Sequence, residues 1–237
     1  MQTSAPGFPE LLLIDTVDAH LPVAARLAAI EELAPIHHEY FPAYPHVLDE
    51  LREYARTGED AHGERIHAFL LRRAGRPVGE WILNVNPRKG VVLVLFVAIH
   101  REARIDLDRS YLTALIDFTL QRCVDEAAEL GETLVAAIVE SDDERLHRWQ
   151  EGGFILVDPD YHEPVHGRGW ASADTLRYFE EYSACVRPLE GGSDIPFDER
   201  AALAIEALLV DHYGLPADNP QVRRSLDVAS SCGSGAS

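Results

Sequence analysis

Leu134 to Phe154 reads LVAAIVESDDERLHRWQEGGF, and three changes of pattern inside it set the architecture. Thr133 to Val139 is continuously apolar, the pattern of a strand buried on both faces. Asp142 or Asp143 then offers a helix cap, because a short side-chain oxygen can accept from the orphan amides of a first turn. The helix runs through Trp149, and Gly152-Gly153 stops it. Phe154 to Val157 resumes as a strand.

Upstream, Asp108 caps a long helix whose stripe is Leu112, Leu115, Ile116, Cys123, Val124 and Ala127, ending near Gly131. Before it, Val91 to Ile99 is an unbroken apolar run, so the helix is expected to be a right-handed crossover between two buried strands. Glu64 to Arg73 and Val78 to Asn84 are strands joined by Ala74-Gly75-Arg76-Pro77, and the turn Asn86-Pro87-Arg88-Lys89-Gly90 leads into Val91, which makes an antiparallel meander. Nearer the start, Glu10 to Val17 is a short strand, and Leu21 to Leu33 is an amphipathic helix carrying Val23, Leu27, Ile30 and Leu33. Pro35, Pro42 and Pro45 are expected to break the chain through an aromatic loop, His37 to Pro45 (HHEYFPAYP), before a second helix from Val47 to Arg56.

Downstream, Asp158 to Ala173 is polar, and a last strand is expected near Tyr182 to Pro188. Gly191-Gly192-Ser193 reads as a linker to a helix from Asp198 to Tyr213 with Ala201, Ile205, Leu208 and Leu209 on one face. That stripe must cover the domain's own sheet or a second copy of the chain. Ser230 to Ser237 is expected to fray. The reading is an α/β (α+β) domain over residues 1–190, with a mixed, mostly antiparallel sheet of about six or seven strands flanked by helices. Residues 191–237 form a C-terminal helical extension with a flexible tail.

The 237 residues are 46% hydrophobic and 26% charged, enough for a sizeable core. With 21 basic against 40 acidic residues the net charge is −19, which argues against nucleic-acid and membrane-surface binding. Lys89 is the only lysine, the other basic residues being arginine. The longest apolar run is far short of the ~20 residues that span a bilayer, and Met1 to Pro9 lacks the features of a leader, so a cytoplasmic protein is expected. Cys123, Cys185 and Cys232 are too few and scattered for a disulfide framework or a Cys-based zinc site.

This order of elements, with a short helix ending in Gly153-Phe154, resembles the GNAT (GCN5-related) N-acetyltransferases, and Leu134 to Phe154 is similar to that family's strand followed by Asn-x-x-Ala-x-x-x-Tyr-x-x-x-Gly-Phe. The resemblance implies a GNAT-like fold and transfer of an acyl group from acetyl-CoA, as co-substrate, to a primary amine of a small molecule or peptide, with no metal. It also implies that the Val91 and Thr133 strands splay, so that amides of the first, near Phe96 and Val97, pair with the pantetheine arm. The family cradles the pyrophosphate with Arg/Gln-x-x-Gly-x-Gly/Ala. Here Leu107 and Arg109 occupy the glycine positions and Asp106 and Asp108 add negative charge, so Arg101, Arg104 and Arg109, with Ser110 and Tyr111, are the candidate phosphate ligands. Trp149 stands where the family has its Tyr, leaving water or a hydroxyl such as that of Tyr111 to assist the thiolate. Proteins of this kind are often dimers, so a homodimer is an expectation.

Acyl transfer to an amine needs a base that strips the ammonium. Glu80, mid-strand among apolar neighbours in VGEWILN, is one candidate, and Glu140, at the carboxyl end of the Thr133 strand, is the other. Tyr40, Phe41 and Tyr44 are candidate walls of the acceptor site. His37-His38-Glu39 reads as solvated surface. His162-Glu163-Pro164-Val165-His166 spells a zinc-protease motif, but Pro164 forbids the helix that would place both His on one face, so a metal-dependent hydrolase is a distant alternative. A catalytically silent GNAT-like module that binds a ligand or protein is the nearer one.

Overall fold

The computed structural model describes residues 2–5, 7–60, 62–104, 110–164 and 179–232. The chain forms two compact units, Met1–Asn84 with Val94–Gln121, and Val85–Leu93 with Arg122–Ser237. Leu107, Asp108, Arg109, Val165 and His166, the polar stretch after Pro164 and the last five residues lie outside the described residues.

In the first unit β1 (Gln2–Ala5) pairs antiparallel with β2 (Phe8–Asp15), and β2 with β3 (Arg65–Arg73), in the register Leu13 to Leu71 and Asp15 to Phe69. The strand order continues to β4 (Arg76–Asn86) and β5 (Val91–Ile99). β1 has no counterpart in the sequence reading. The alternation of β3 sends Ile66, Ala68 and Leu70 to one face, where with Ile82 and Ala98 they pack against Ile30, Leu33 and Ile36 of α1 (Val23–Tyr40) and Leu48 and Leu51 of α2 (His46–Thr57). At Gly79 the backbones of β4 and β5 come so close that a Cβ would stand 2.5 Å from the Ala98 carbonyl oxygen.

Pro35 does not end α1, contrary to the sequence reading. The helix carries it inside and continues to Tyr40. A proline there removes one hydrogen bond, at a cost of ~3 kcal/mol, but Ile30, Leu33, Ala34, Ile36 and His37 form a buried stripe on both sides of it, and their burial outweighs the defect. His37 and His38 are therefore helical, and only Phe41–Pro45 is loop. After β5 comes α3 (Arg101–Arg104), whose Ala103 carbonyl accepts from Arg73 at 2.9 Å, and then α4 (Ser110–Glu129).

In the second unit the order is β5, β6 (Ala136–Ser141), β8 (Phe179–Pro188) and β7 (Ile155–Pro164), with β8 antiparallel to both neighbours. β6 begins three residues later than expected because the amide of Val135 donates to the Gly90 carbonyl (2.7 Å) and its carbonyl accepts from Leu189 (3.0 Å). Gly90 is required at that turn: its φ is 66° and a Cβ would lie 2.4 Å from the Thr133 oxygen. Asp142 caps α5 (Asp143–Glu151) by accepting from the Arg145 amide at 2.9 Å. β7 runs through Pro164, so Asp158–Pro164 is strand rather than loop. Asp158, wholly buried there, is held by Arg224 (2.8 Å) and Ser225 (2.8 Å) of α7 (Pro220–Ala229).

The expected linker is a packed turn. A Cβ on Gly191 would stand 2.7 Å from the Leu134 oxygen, and one on Gly192 2.7 Å from the Val135 Cβ, so these glycines allow close approach rather than reach. α6 (Phe197–Glu206) lies on β6 and β8 with Ala201, Ala204 and Ile205 buried, and a wider turn over Ala207–His212 buries Leu208 and Leu209. The apolar stripe is thus covered by the chain's own sheet. The segment is also tied to the β4–β5 turn: Lys89 Nζ lies 2.9 Å from Glu206 and 3.9 Å from Asp211, and Asn86 donates to Asp211 at 2.8 Å.

Candidate functional site

Glu80 projects from β4 toward α1 on the face that carries Ile82, and meets His37 there. His37 Nδ1 and Glu80 Oε1 are 3.0 Å apart and both side chains are 0% exposed. The other ring nitrogen, Nε2, is 2.9 Å from the Tyr44 carbonyl oxygen. Around the imidazole stand Phe41 (centroids 5.6 Å apart) and Phe96 (5.3 Å, edge-on), and Phe96 also meets Phe41 at 5.0 Å and Tyr44 at 5.3 Å. These three rings are half-buried. A fully buried carboxylate–imidazole pair thus lies within an aromatic cluster that reaches the surface.

Glu80 Oε2 is buried and has no hydrogen-bond partner among the described residues. Asp15, in a second buried pair with His67 (3.0 Å), differs: its remaining oxygen accepts from the amides of Val17 and Ala68, each at 3.3 Å. Burial pushes the Glu80 carboxyl above its ordinary range, against the pull of the His37 hydrogen bond and charge and of His38. Burial alone would lower His37, but the hydrogen bond and charge of Glu80, with the Tyr44 carbonyl, outweigh it and hold the imidazole above its ordinary 6.5. The surface reading of His37 is thereby corrected; its partner is 43 residues away in sequence and on another element.

Of the candidate wall residues, Phe41 and Tyr44 belong to this cluster. Tyr40 points to the end of β5, its hydroxyl 3.1 Å from His100 Nδ1, with Glu39 3.7 Å from the same nitrogen. Within β5, Leu95, Phe96 and Val97 are half-buried between buried Val91–Val94 and Ala98–Ile99. Arg101 is exposed and Arg104 half-buried, the latter with a buried Nε that has no hydrogen-bond partner among the described residues. Ser110 opens α4, and the Tyr111 ring packs edge-on against Phe8 at 6.5 Å.

Glu140, the other base candidate, sits at the end of β6 in the second unit. Its Oε1 accepts from Tyr161 and its Oε2 from Tyr213 at 2.6 Å, while Tyr213 also lies 3.5 Å from Glu163. The residue keeps a partly exposed edge, yet its carboxyl is enclosed. Burial, reinforced by the Glu163 charge, drives it well above the carboxylate range against the two tyrosine hydrogen bonds. Both hydroxyls are driven well above the tyrosine range, by burial and then by these carboxylates. Trp149 is buried edge-on against Phe154 at 5.4 Å. His162 lies on β7 with Nδ1 2.8 Å from the Asp160 carbonyl, and no group of three or more metal-ligating side chains occurs among the described residues.

No family model and no curated protein sequence matches the chain. Similar solved structures are the spermidine/spermine N-acetyltransferase of Vibrio cholerae in mutant forms (15% identity over 78% of this chain and 98% of that one, TM-score 0.47) and Tetrahymena GCN5 (9%, 76% and 96%, 0.44). A third is the Salmonella typhimurium acetyltransferase that modifies the N-terminal serine of ribosomal protein L7/L12 (10%, 78% and 99%, 0.47).

Proposed function

We propose that the chain is an acyl-CoA-dependent N-acyltransferase acting on a primary amine, with Glu80 as the base. The observation that carries this reading is the free Oε2 of a wholly buried carboxylate beneath half-buried aromatic rings. An ammonium loses its proton to Oε2, directly or through a water, and the amine so formed has the lone pair needed for attack. The raised affinity of Glu80 for a proton suits it to an acceptor that is protonated at neutral pH. Phe41, Tyr44 and Phe96 offer ring faces to the cationic head before that transfer. Glu140 is poorly suited to the same role, since each of its oxygens already accepts a tyrosine hydroxyl.

Acetyl-CoA, when bound, supplies the thioester carbonyl. The residues of this chain that fit it are Phe96 and Val97, where β5 becomes half-exposed, and Arg101 with Arg104, whose Nε lacks a partner among the described residues. Arg109, the third arginine candidate, is outside the described residues. The departing thiolate takes its proton from water, because indole is no acid and Trp149 occupies the family tyrosine's place.

The test is a thiol-release assay on the full chain with acetyl-CoA and a panel of primary amines that includes a polyamine and a peptide with a free N-terminal serine. Amine-dependent release of CoA is expected. Absence of release with every amine, together with no heat of acetyl-CoA binding in calorimetry, overturns the reading.

A further inference from the structure

The hydrogen bonds of His37 fix where its protons lie. Tyr44 presents a carbonyl oxygen, which only accepts, so the 2.9 Å contact requires that Nε2 carry its hydrogen. One proton is then left for the 3.0 Å line between Nδ1 and Glu80 Oε1, and it resides either on the ring, as imidazolium and carboxylate, or on the carboxyl, with both partners neutral. In neither state has His37 a lone pair to offer a substrate. In the first, Oε2 is the open basic position.

We propose that His37 is a positioning residue that holds Glu80 in its basic form and couples that form to the Tyr44 segment, so that seating the acceptor against Tyr44 and readying the base are one event. The proposal rests on the reading of Glu80 as base and names how that base is controlled. The route is short and contiguous: Tyr44 contributes both its ring to the aromatic cluster and its carbonyl to Nε2, and the imidazole between them is packed by Phe41 and Phe96. A ring shifted with the Tyr44 carbonyl leaves Oε1 without its donor, and an unaccompanied buried carboxylate takes up a proton. Of the titratable groups on the packed elements, His38 on α1 acts on Glu80 through its charge, while Glu39 and the Tyr40 hydroxyl meet His100 after β5, and His46 at the start of α2 meets the Tyr44 ring. Among the described residues only Glu80 and the Tyr44 carbonyl hydrogen-bond the ring itself.

Two substitutions separate the two ring nitrogens. His37→Asn keeps a donor near the Nδ1 position and loses the one toward Tyr44, whereas His37→Gln keeps a donor near the Nε2 position and loses the one toward Glu80. The carboxyl carbon of Glu80 is followed by NMR across pH in the full chain, beside the pH profile of acyl transfer. With His37→Gln the Glu80 midpoint is expected to rise by about one pH unit or more, and the acidic limb of kcat/KM to move with it. With His37→Asn the midpoint stays nearer the parent value while KM for the amine rises more than kcat falls. An unchanged Glu80 midpoint in His37→Gln overturns the proposal, as does a parent imidazole whose Nε2 carries no hydrogen in its 15N spectrum, a measurement that needs no variant to fold. If the parent transfers no acyl group, the base reading fails separately, and the carboxyl titration alone decides whether His37 controls Glu80.

Discussion

Glu80 and Glu140 are alike in sequence, each a carboxylate in or at the end of an apolar strand, and burial raises the proton affinity of both. They differ in what completes them. Glu80 receives one donor, an imidazole that can share a proton with it, and keeps an oxygen open. Glu140 receives two tyrosine hydroxyls, one per oxygen, with a second carboxylate nearby. The first arrangement leaves a lone pair for a visitor's proton, which is the role proposed for it. The second binds strands β6 and β7 to the segment that follows α6, because Tyr161, Glu163 and Tyr213 come from those elements. A displaced pKa is therefore common to both, and the open lone pair distinguishes them.

The largest effect expected to test this contrast is on turnover. Glu80→Gln should reduce acyl transfer by ~10²–10⁴-fold with amine binding retained, while Glu140→Gln stays near the parent rate. The reverse ranking in the thiol-release assay would exchange the roles assigned to the two residues. Next comes stability. Tyr213→Phe leaves a Glu140 oxygen without its donor and should cost ~1–3 kcal/mol in urea denaturation, with kcat little changed. A variant as stable as the parent would mean that the hydroxyl holds nothing together.

The smallest effect is a slope with pH. The folded Glu140 carboxyl binds its proton more tightly than the ordinary carboxyl at 4.5, so the folded state holds more protons than the unfolded one and stability falls as pH rises above that value. His37, also raised, contributes stability that is complete below 6.5 and lost as pH climbs through its own higher value. Urea midpoints should therefore decline between pH ~5 and ~9, and Glu140→Gln should flatten the lower part of the decline. A midpoint that rises over that range contradicts both assignments.

What the sequence conveys well is local. The bounds of β5 are those of the apolar run Val91–Ile99, and Asp142 caps α5 because cap and amide are three residues apart. What it conceals is long-range. His37-His38-Glu39 looks like solvated surface, and nothing nearby signals that one imidazole finds a carboxylate on β4. Asp158 looks like loop because its partners, Arg224 and Ser225, lie 66 and 67 residues on. Pro35 shows how a local rule yields to packing on both sides of it. Gly191-Gly192 fails in another way: glycine marks freedom and close approach alike, and only the backbone of Leu134 and Val135 decides between them.

Lys89 is the only side-chain amine in the chain. It is 19% exposed, at the turn before β5, with its nitrogen against Glu206 and Asp211. On the proposed activity this pairing shields the chain from its own product chemistry: the one lysine that a thioester could modify has its nitrogen engaged by neighbouring carboxylates. Mass spectrometry after prolonged incubation with acetyl-CoA should accordingly find Lys89 unmodified, so that label transferred in an assay reports on the added acceptor.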